Sequence, residues 1–431
     1  MSTHPRTHRR VVARVEASLV ARTVAVPDPG PLLSRLPQDA PAAWVRRGEG
    51  LVGWGEAVRV RLHGPGRFAQ ADEAWRELVA GAVVRDDVSR PGSGPVAFAS
   101  FSFSDQAADG GVLVVPEVAL GHRDGAWWLT TVTAGATIPT LPGLTEPPPP
   151  RLPAQVRFAD GARPGPQWMA VVAEAVQHIA DGRVDKVVLA RDLVAEADEP
   201  VDVRCLLTRL AERYPTCWTF TVDGLTGATP ELLVRRERGL VTSRVLAGTI
   251  RRTGDDEHDL ALAASLARSS KDLEEHEYAV RSVAEALAPH LSSANVPDSP
   301  FVLLLPNVMH LATDVTGVLR SSRDGASPTA IGLAEALHPT AAVCGTPTAE
   351  AADLIAELEG MDRGRYAGPV GWIDASGDGE FGIALRCAQV DAARPQRLRL
   401  FAGCGIVAGS DPAAELAESD AKLVPMRDAL G

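Results

Sequence analysis

Residues 403–422 read GCGIVAGSDPAAELAESDAK, a Gly-rich segment running into an amphipathic one. Glycines so spaced suggest a dinucleotide-binding turn, which requires a following helix, a second strand and an acidic residue about 20 positions on. Too little chain follows for that unit. The expectation is instead a strand, a turn and one terminal helix over 412–428. Asp411 suits the N-cap and Pro412 the first helical position. On that helix Glu415, Glu418 and Lys422 share one stripe, opposite Leu416 and Leu423.

Working back from this end, helical spacing predicts helices over 167–181 and 203–213, and one long helix over 259–287. Strands are expected at Lys186–Asp192 (KVVLARD), Glu231–Val234, Ser243–Leu246 and Gly382–Cys387. The segment DASGDG at 374–379 resembles the start of a calcium loop, but Leu385 stands where a bidentate Glu is required. A hairpin turn is the better reading, leading into the strand expected to carry Arg386 on one face with Gly382 and Ala384. Earlier in the chain, β-like runs such as 112–115 and 127–130 alternate with Gly and Pro clusters up to the stiff segment EPPPP at 146–150. Elements of unequal length without regular βαβ alternation predict an α/β fold of the α+β kind, with largely antiparallel sheets. The expected organisation is a disordered basic N-terminus at 1–10, an N-terminal part of the fold over 11–150, and a catalytic region over 160–431. The strands before 150 could form a separate domain or complete a sheet begun by the later half.

Of the 431 residues, 45% are hydrophobic and 23% charged, an ordinary globular balance. Lys and Arg total 43 against 55 Asp and Glu, a net charge of −12 that disfavours nucleic acid and anionic membranes as partners. An anionic substrate therefore needs local positive charge from particular side chains or a metal. The five cysteines, Cys205, Cys217, Cys344, Cys387 and Cys404, are scattered and form no CxxC pair. That pattern fits a reducing cytoplasm. No secretory signal and no apolar run of spanning length is found.

No HExxH or GxSxG motif occurs. Taken one at a time, the remaining charged residues have ordinary explanations. Lys186 could cap a strand edge, Glu231 could be a solvated turn carboxylate, and Glu275 could favour a helix N-terminus. Glu418 and Lys422 could be a surface i,i+4 pair. Their surroundings weigh against that. In order, KVVLAR, GATPELL, LAGT, SSKDLEEH, HPTAAVCG, YAGPVGW, GDGEFGIALR and GCGIVAGSDPAAELAESDAK resemble the chorismate-utilising enzyme family, which includes isochorismate, salicylate, anthranilate and aminodeoxychorismate synthases.

The resemblance implies a single large fold of two packed, largely antiparallel sheets with helices outside, a monomer, and chorismate as substrate. It implies Mg²⁺ held by Glu275 and Glu418, a donor set that suits the ion's preference for a few carboxylates plus substrate and water oxygens. Arg386 and Lys422 would bind substrate carboxylates, with Gly248, Thr249 and Gly403 in close backbone contact. Lys186 matches the base that activates water for attack at C2, and Glu231 the acid that protonates the departing C4 hydroxyl. Opposite pKa shifts are expected, a lysine lowered toward neutrality and a glutamate raised by desolvation.

Lys186 favours water over ammonia as nucleophile. Aminodeoxychorismate synthases carry a nucleophilic lysine where this chain has Ala247, and salicylate synthases a threonine where it has Ala342. Both alanines resemble an isochorismate synthase, while Tyr366 is a feature shared with lyase-type relatives. The alternatives are a salicylate synthase and an inactive binding homologue. An inactive homologue should have lost one of Lys186, Glu231, Glu275 or Glu418, and all four are present.

Overall fold

The computed structural model describes residues 18–320 and 327–431. The segment 1–10, expected to be disordered, lies outside the described residues. The strands form one sheet of 13 and one of 10. Among the described residues, only Leu19–Ala25 and Val83–Asp86 pair in parallel.

The larger sheet runs from Val156–Asp160 through Lys186–Ala197, Arg394–Ile406, Cys387–Asp391, Leu225–Thr229 and Trp218–Val222. It then continues into strands from the first part of the chain, beginning with Ala42–Arg46. In the smaller sheet Val308–Leu319, Leu240–Arg251, Leu232–Glu237, Gly379–Ile383 and Pro369–Asp374 lie side by side. Val96–Phe101 then pairs with Pro369–Asp374, followed by Gly111–Val115 and Val58–Arg61. Strands from before and after the proline run are therefore hydrogen-bonded neighbours in both sheets.

The sheets meet through aromatic side chains. Trp44 and Trp218, from the larger sheet, stack with ring centroids 6.2 Å apart. Their indole N–H groups both donate to Glu380 of the smaller sheet, at 2.9 and 3.1 Å. Beside them Gly382 has no Cβ, and one added there would sit 2.8 Å from the Trp44 ring. The close approach of the two layers depends on that glycine. Phe98, Phe101, Phe220 and Phe381 extend the same buried cluster.

The expected helices at 203–213 and 412–428 are Val203–Arg213 and Pro412–Leu430, and that at 167–181 is Gly165–Ala180. Asp411 caps the last, accepting from the Ala414 N–H. The single long helix expected over 259–287 is instead two, Asp256–Leu266 and Ser270–Leu287. Ser269 starts the second by accepting from the Asp272 N–H at 3.3 Å. Apolar spacing continues across this cap, so periodicity alone merges the two helices.

Two further corrections concern strands. Glu231 does not begin a strand but lies in a break between Leu225–Thr229 and Leu232–Glu237. Pro230, which has no N–H to continue a ladder, marks the point where the chain leaves one sheet for the other. Likewise Gly382–Cys387 is not one strand. Gly379–Ile383 ends in the smaller sheet, Cys387–Asp391 begins in the larger one, and Arg386 lies between them at φ 49°. It therefore does not share a strand face with Gly382 and Ala384. The two crossings are hydrogen-bonded to each other, Ala228 N to Arg386 O at 3.2 Å and Ile383 N to Glu231 O at 3.3 Å. All five cysteines are free and buried, and no described helix is long and apolar enough to cross a membrane.

Candidate active site

Lys186, Glu231, Gly248, Thr249, Glu275, Ala342, Arg386, Gly403, Glu418 and Lys422 all line one cavity of ≈160 Å³. Its floor is the strand Arg394–Ile406, where Gly403 pairs with Ala190 and Gly405 with Val188. A Cβ on Gly405 would lie 3.0 Å from both Glu275 Oε1 and the Lys186 Cε. One on Gly403 would lie 3.0 Å from the Tyr366 hydroxyl, whose ring stacks on Phe401. The Gly-x-Gly spacing thus keeps a cavity floor open rather than cradling a dinucleotide.

Lys186 is almost wholly buried at the start of its strand, and its Nζ donates to Glu275 Oε1 at 2.8 Å. The strand is held from behind by the buried Arg363–Glu359 pair. Arg363 donates to Val188 O at 2.6 Å and Val343 O at 3.0 Å, and Glu359 accepts from the Ala190 N–H at 2.7 Å. One ion pair therefore fixes the Lys186 strand to the loop that carries Ala342.

Glu231 is 5% exposed. Burial pushes its carboxyl up to about 8, while a bond from the Leu246 backbone and the charges of Lys186, Lys422 and Arg386 pull the other way. At neutral pH the group is an acid with a proton to give. This is the direction expected of a proton donor.

Arg386 is buried, and its Nη2 lies 3.2 Å from His310 Nε2. Burial, then the charges of Arg386 and Lys422, holds His310 well below the usual imidazole range, so the ring is neutral. A neutral ring accepting from a guanidinium at Nε2 carries its proton on Nδ1, which faces Thr249 Oγ1 at 3.1 Å. Thr249 follows a bulge at Gly248, whose φ of 75° brings its backbone against Asp272. On the terminal helix, Lys422 donates to Glu418 at 2.6 Å and to Gly403 O at 2.8 Å. Burial opposes the Lys422 charge, but Glu418 overrides it and holds the amine above its ordinary value.

The carboxylates around the cavity can be tested for a metal. Glu275, Glu415, Glu418 and Asp272 all line it. The ligand atoms of Glu415, Glu418 and Cys404 lie within 4.8 Å of one another. Burial keeps the Cys404 thiol protonated, and it donates to the Glu415 carbonyl, which leaves an oxygen donor set. Such a set fits a hard divalent cation like Mg²⁺. His310, Asp272 and Arg363 carried no signal in the sequence. Glu415 was on the right stripe but had no role assigned to it.

The profile described as chorismate binding enzyme matches residues 44–431. The chain belongs to the chorismate-binding enzyme family. The salicylate biosynthesis isochorismate synthase of Pseudomonas aeruginosa is 34% identical over 410 residues, covering 88% of this chain and 82% of the relative. Isochorismate synthase EntC of Escherichia coli is 40% identical over 61% of this chain and 66% of its own length. Among solved structures, the menaquinone-specific isochorismate synthase MenF of Escherichia coli superposes with a TM-score of 0.76 at 25% identity, covering 96% of each chain. The mixed architecture of two packed, largely antiparallel sheets expected from the sequence is the fold found in this family.

Proposed function

We propose that this protein is an isochorismate synthase, an isomerase that interconverts chorismate and isochorismate with Mg²⁺. Its similarity to isochorismate synthases of other bacteria supports the reaction class. The observation that carries the mechanism is Glu231, a buried carboxyl protonated at neutral pH in the cavity that also holds the Lys186 amine. As water attacks ring C2, Lys186 in its neutral amine form takes the proton the water loses. Glu231 gives its proton to the C4 oxygen as that bond breaks, so the hydroxyl leaves as water and the ring double bonds shift. In the reverse direction the two groups exchange roles. Arg386 has no carboxylate partner among the described residues and is free to bind one from the substrate, with Lys422 beside it. Glu275 and Glu418, which line the cavity together with Glu415 and Asp272, would hold Mg²⁺, which would supply Lewis acidity toward the ring carboxylate.

Ala247 and Ala342 line the cavity and bring no amine or hydroxyl to it, which favours water as nucleophile and a reaction that stops before pyruvate is lost. The test is to incubate purified protein with chorismate and Mg²⁺ and separate the products. Isochorismate that forms with Mg²⁺ and not after EDTA treatment is the expected result. Salicylate plus pyruvate would make the protein a salicylate synthase. An aminated product that depends on ammonium would overturn water attack, and chorismate bound without turnover would indicate an inactive homologue.

A further inference from the structure

Four of the six buried arginines among the described residues pair with carboxylates. Arg191 pairs with Asp420 at 2.7 Å, Arg204 with Asp202 at 2.6 Å, Arg365 with Asp109 at 3.1 Å, and Arg363 with Glu359. A buried cation without such a partner is costly. Among the described residues two buried arginines have no carboxylate oxygen within 4.0 Å: Arg386, in the cavity described above, and Arg67.

Arg67 is 5% exposed. Its Nη2 donates to the Ser102 and Phe103 carbonyls at 3.1 and 3.3 Å, and its Nε is buried without an acceptor. It opens the helix Arg67–Ala80, where a cation works against the helix dipole, so helix formation does not account for it. It lines a second cavity of ≈590 Å³, walled on its apolar side by Phe68, Phe103 and Met361. The other cationic candidates there are already committed. Arg363 is bound to Glu359, and burial lowers His338 to about 4, leaving a neutral ring whose Nε2 meets the Phe103 carbonyl. Asp105, Glu335 and Asp362 also line the cavity, but none reaches ion-pair distance of Arg67.

We propose that this cavity is a second ligand site, which takes a small carboxylate with a flat apolar body. The carboxylate meets Arg67, and the body lies against Phe103 and Met361. The site lies outside the cavity of the proposed reaction, although Arg363 lines both.

The probe is 4-fluorobenzoate, followed by its ¹⁹F resonance with the full-length protein carrying Arg386→Gln, so that binding in the first cavity is suppressed. Saturable broadening is expected, at least tenfold weaker with 4-fluorobenzyl alcohol. Adding Arg67→Gln should weaken binding tenfold or more. Ala352→Trp places a large side chain at another lining position, and should do the same. Agreement of the two variants separates loss of the site from misfolding around Arg67. Absence of saturable binding to the Arg386→Gln protein would overturn the proposal, as would equal binding of the alcohol, or binding that survives either added substitution.

Discussion

At 5% exposure Glu231 cannot ionise without losing most of its hydration, and Lys186, Lys422 and Arg386 offset only part of that loss. Its folded value of about 8 lies above the ordinary 4.5, so the folded protein holds this proton longer than the unfolded chain. The stability this contributes is complete below about pH 4.5 and is lost as the pH rises through about 8. A neutral amide at this position has no ionisation to resist. Glu231→Gln should therefore melt progressively higher than the wild type as the pH is raised from 5 to 9, while turnover falls by roughly 10²–10⁴-fold. The wild-type rate should decline on the alkaline side near pH 8 for the same reason. A melting difference that stays constant across that range would refute the buried-acid account. Lys186→Gln should lose activity on a similar scale, because it leaves Glu231 in place but removes the proposed base. Retention of full turnover by that variant would remove Lys186 from the mechanism.

At the scale of elements, the site is assembled where regular structure stops. Glu231 and Arg386 lie at neighbouring crossings between the sheets, each outside a ladder, so their side chains enter the cleft between layers. Alternation of apolar residues tells where a strand exists but not which sheet it joins. For that reason the sequence showed the strand Lys186–Ala197 and the terminal helix well, yet ran Arg386 into a strand it does not belong to. The ten candidate residues came from matching motif blocks, since spacing alone left Lys186 and Glu231 with ordinary explanations. His310 was missed because a polar residue within a strand says nothing of the guanidinium 3.2 Å away. Gly405 gives a test at this scale. A methyl group there would press on Lys186 and Glu275 at 3.0 Å, both ends of flexible side chains. Gly405→Ala should thus cost about 1 kcal/mol, the low end for overpacking, in denaturant titration while sharply lowering kcat. Asp411→Ala should do the converse. It removes the cap of the helix that carries Glu418 and Lys422, costing roughly 0.5–2 kcal/mol, and should raise KM by loosening the end nearest the substrate. Unchanged stability in the cap variant would show that tertiary packing, not the cap, holds this end.

For the whole molecule, the decisive fact is that neither sheet belongs to one part of the chain. Ala42–Arg46 covers the edge of Trp218–Val222, and Val96–Phe101 covers the edge of Pro369–Asp374. Every candidate catalytic residue lies after position 160, so the early strands give the active site no side chain. What they supply is closure. Without them two strands would expose unpaired N–H and C=O groups, and Glu380 would lose the Trp44 indole that it binds at 2.9 Å. Trp44 would also leave the face of Gly382, opening the interface on which Phe220 and Phe381 pack. A fragment comprising residues 160–431 should therefore fail to fold despite containing all ten candidate residues, and should aggregate or bind a hydrophobic dye. The full chain should instead lose tryptophan fluorescence, far-ultraviolet ellipticity and turnover at a single denaturant concentration, because the layers cannot separate without breaking both sheets. A soluble fragment with native-like tryptophan emission would show that the later strands close their own edges, and the early strands would then be a dispensable cover.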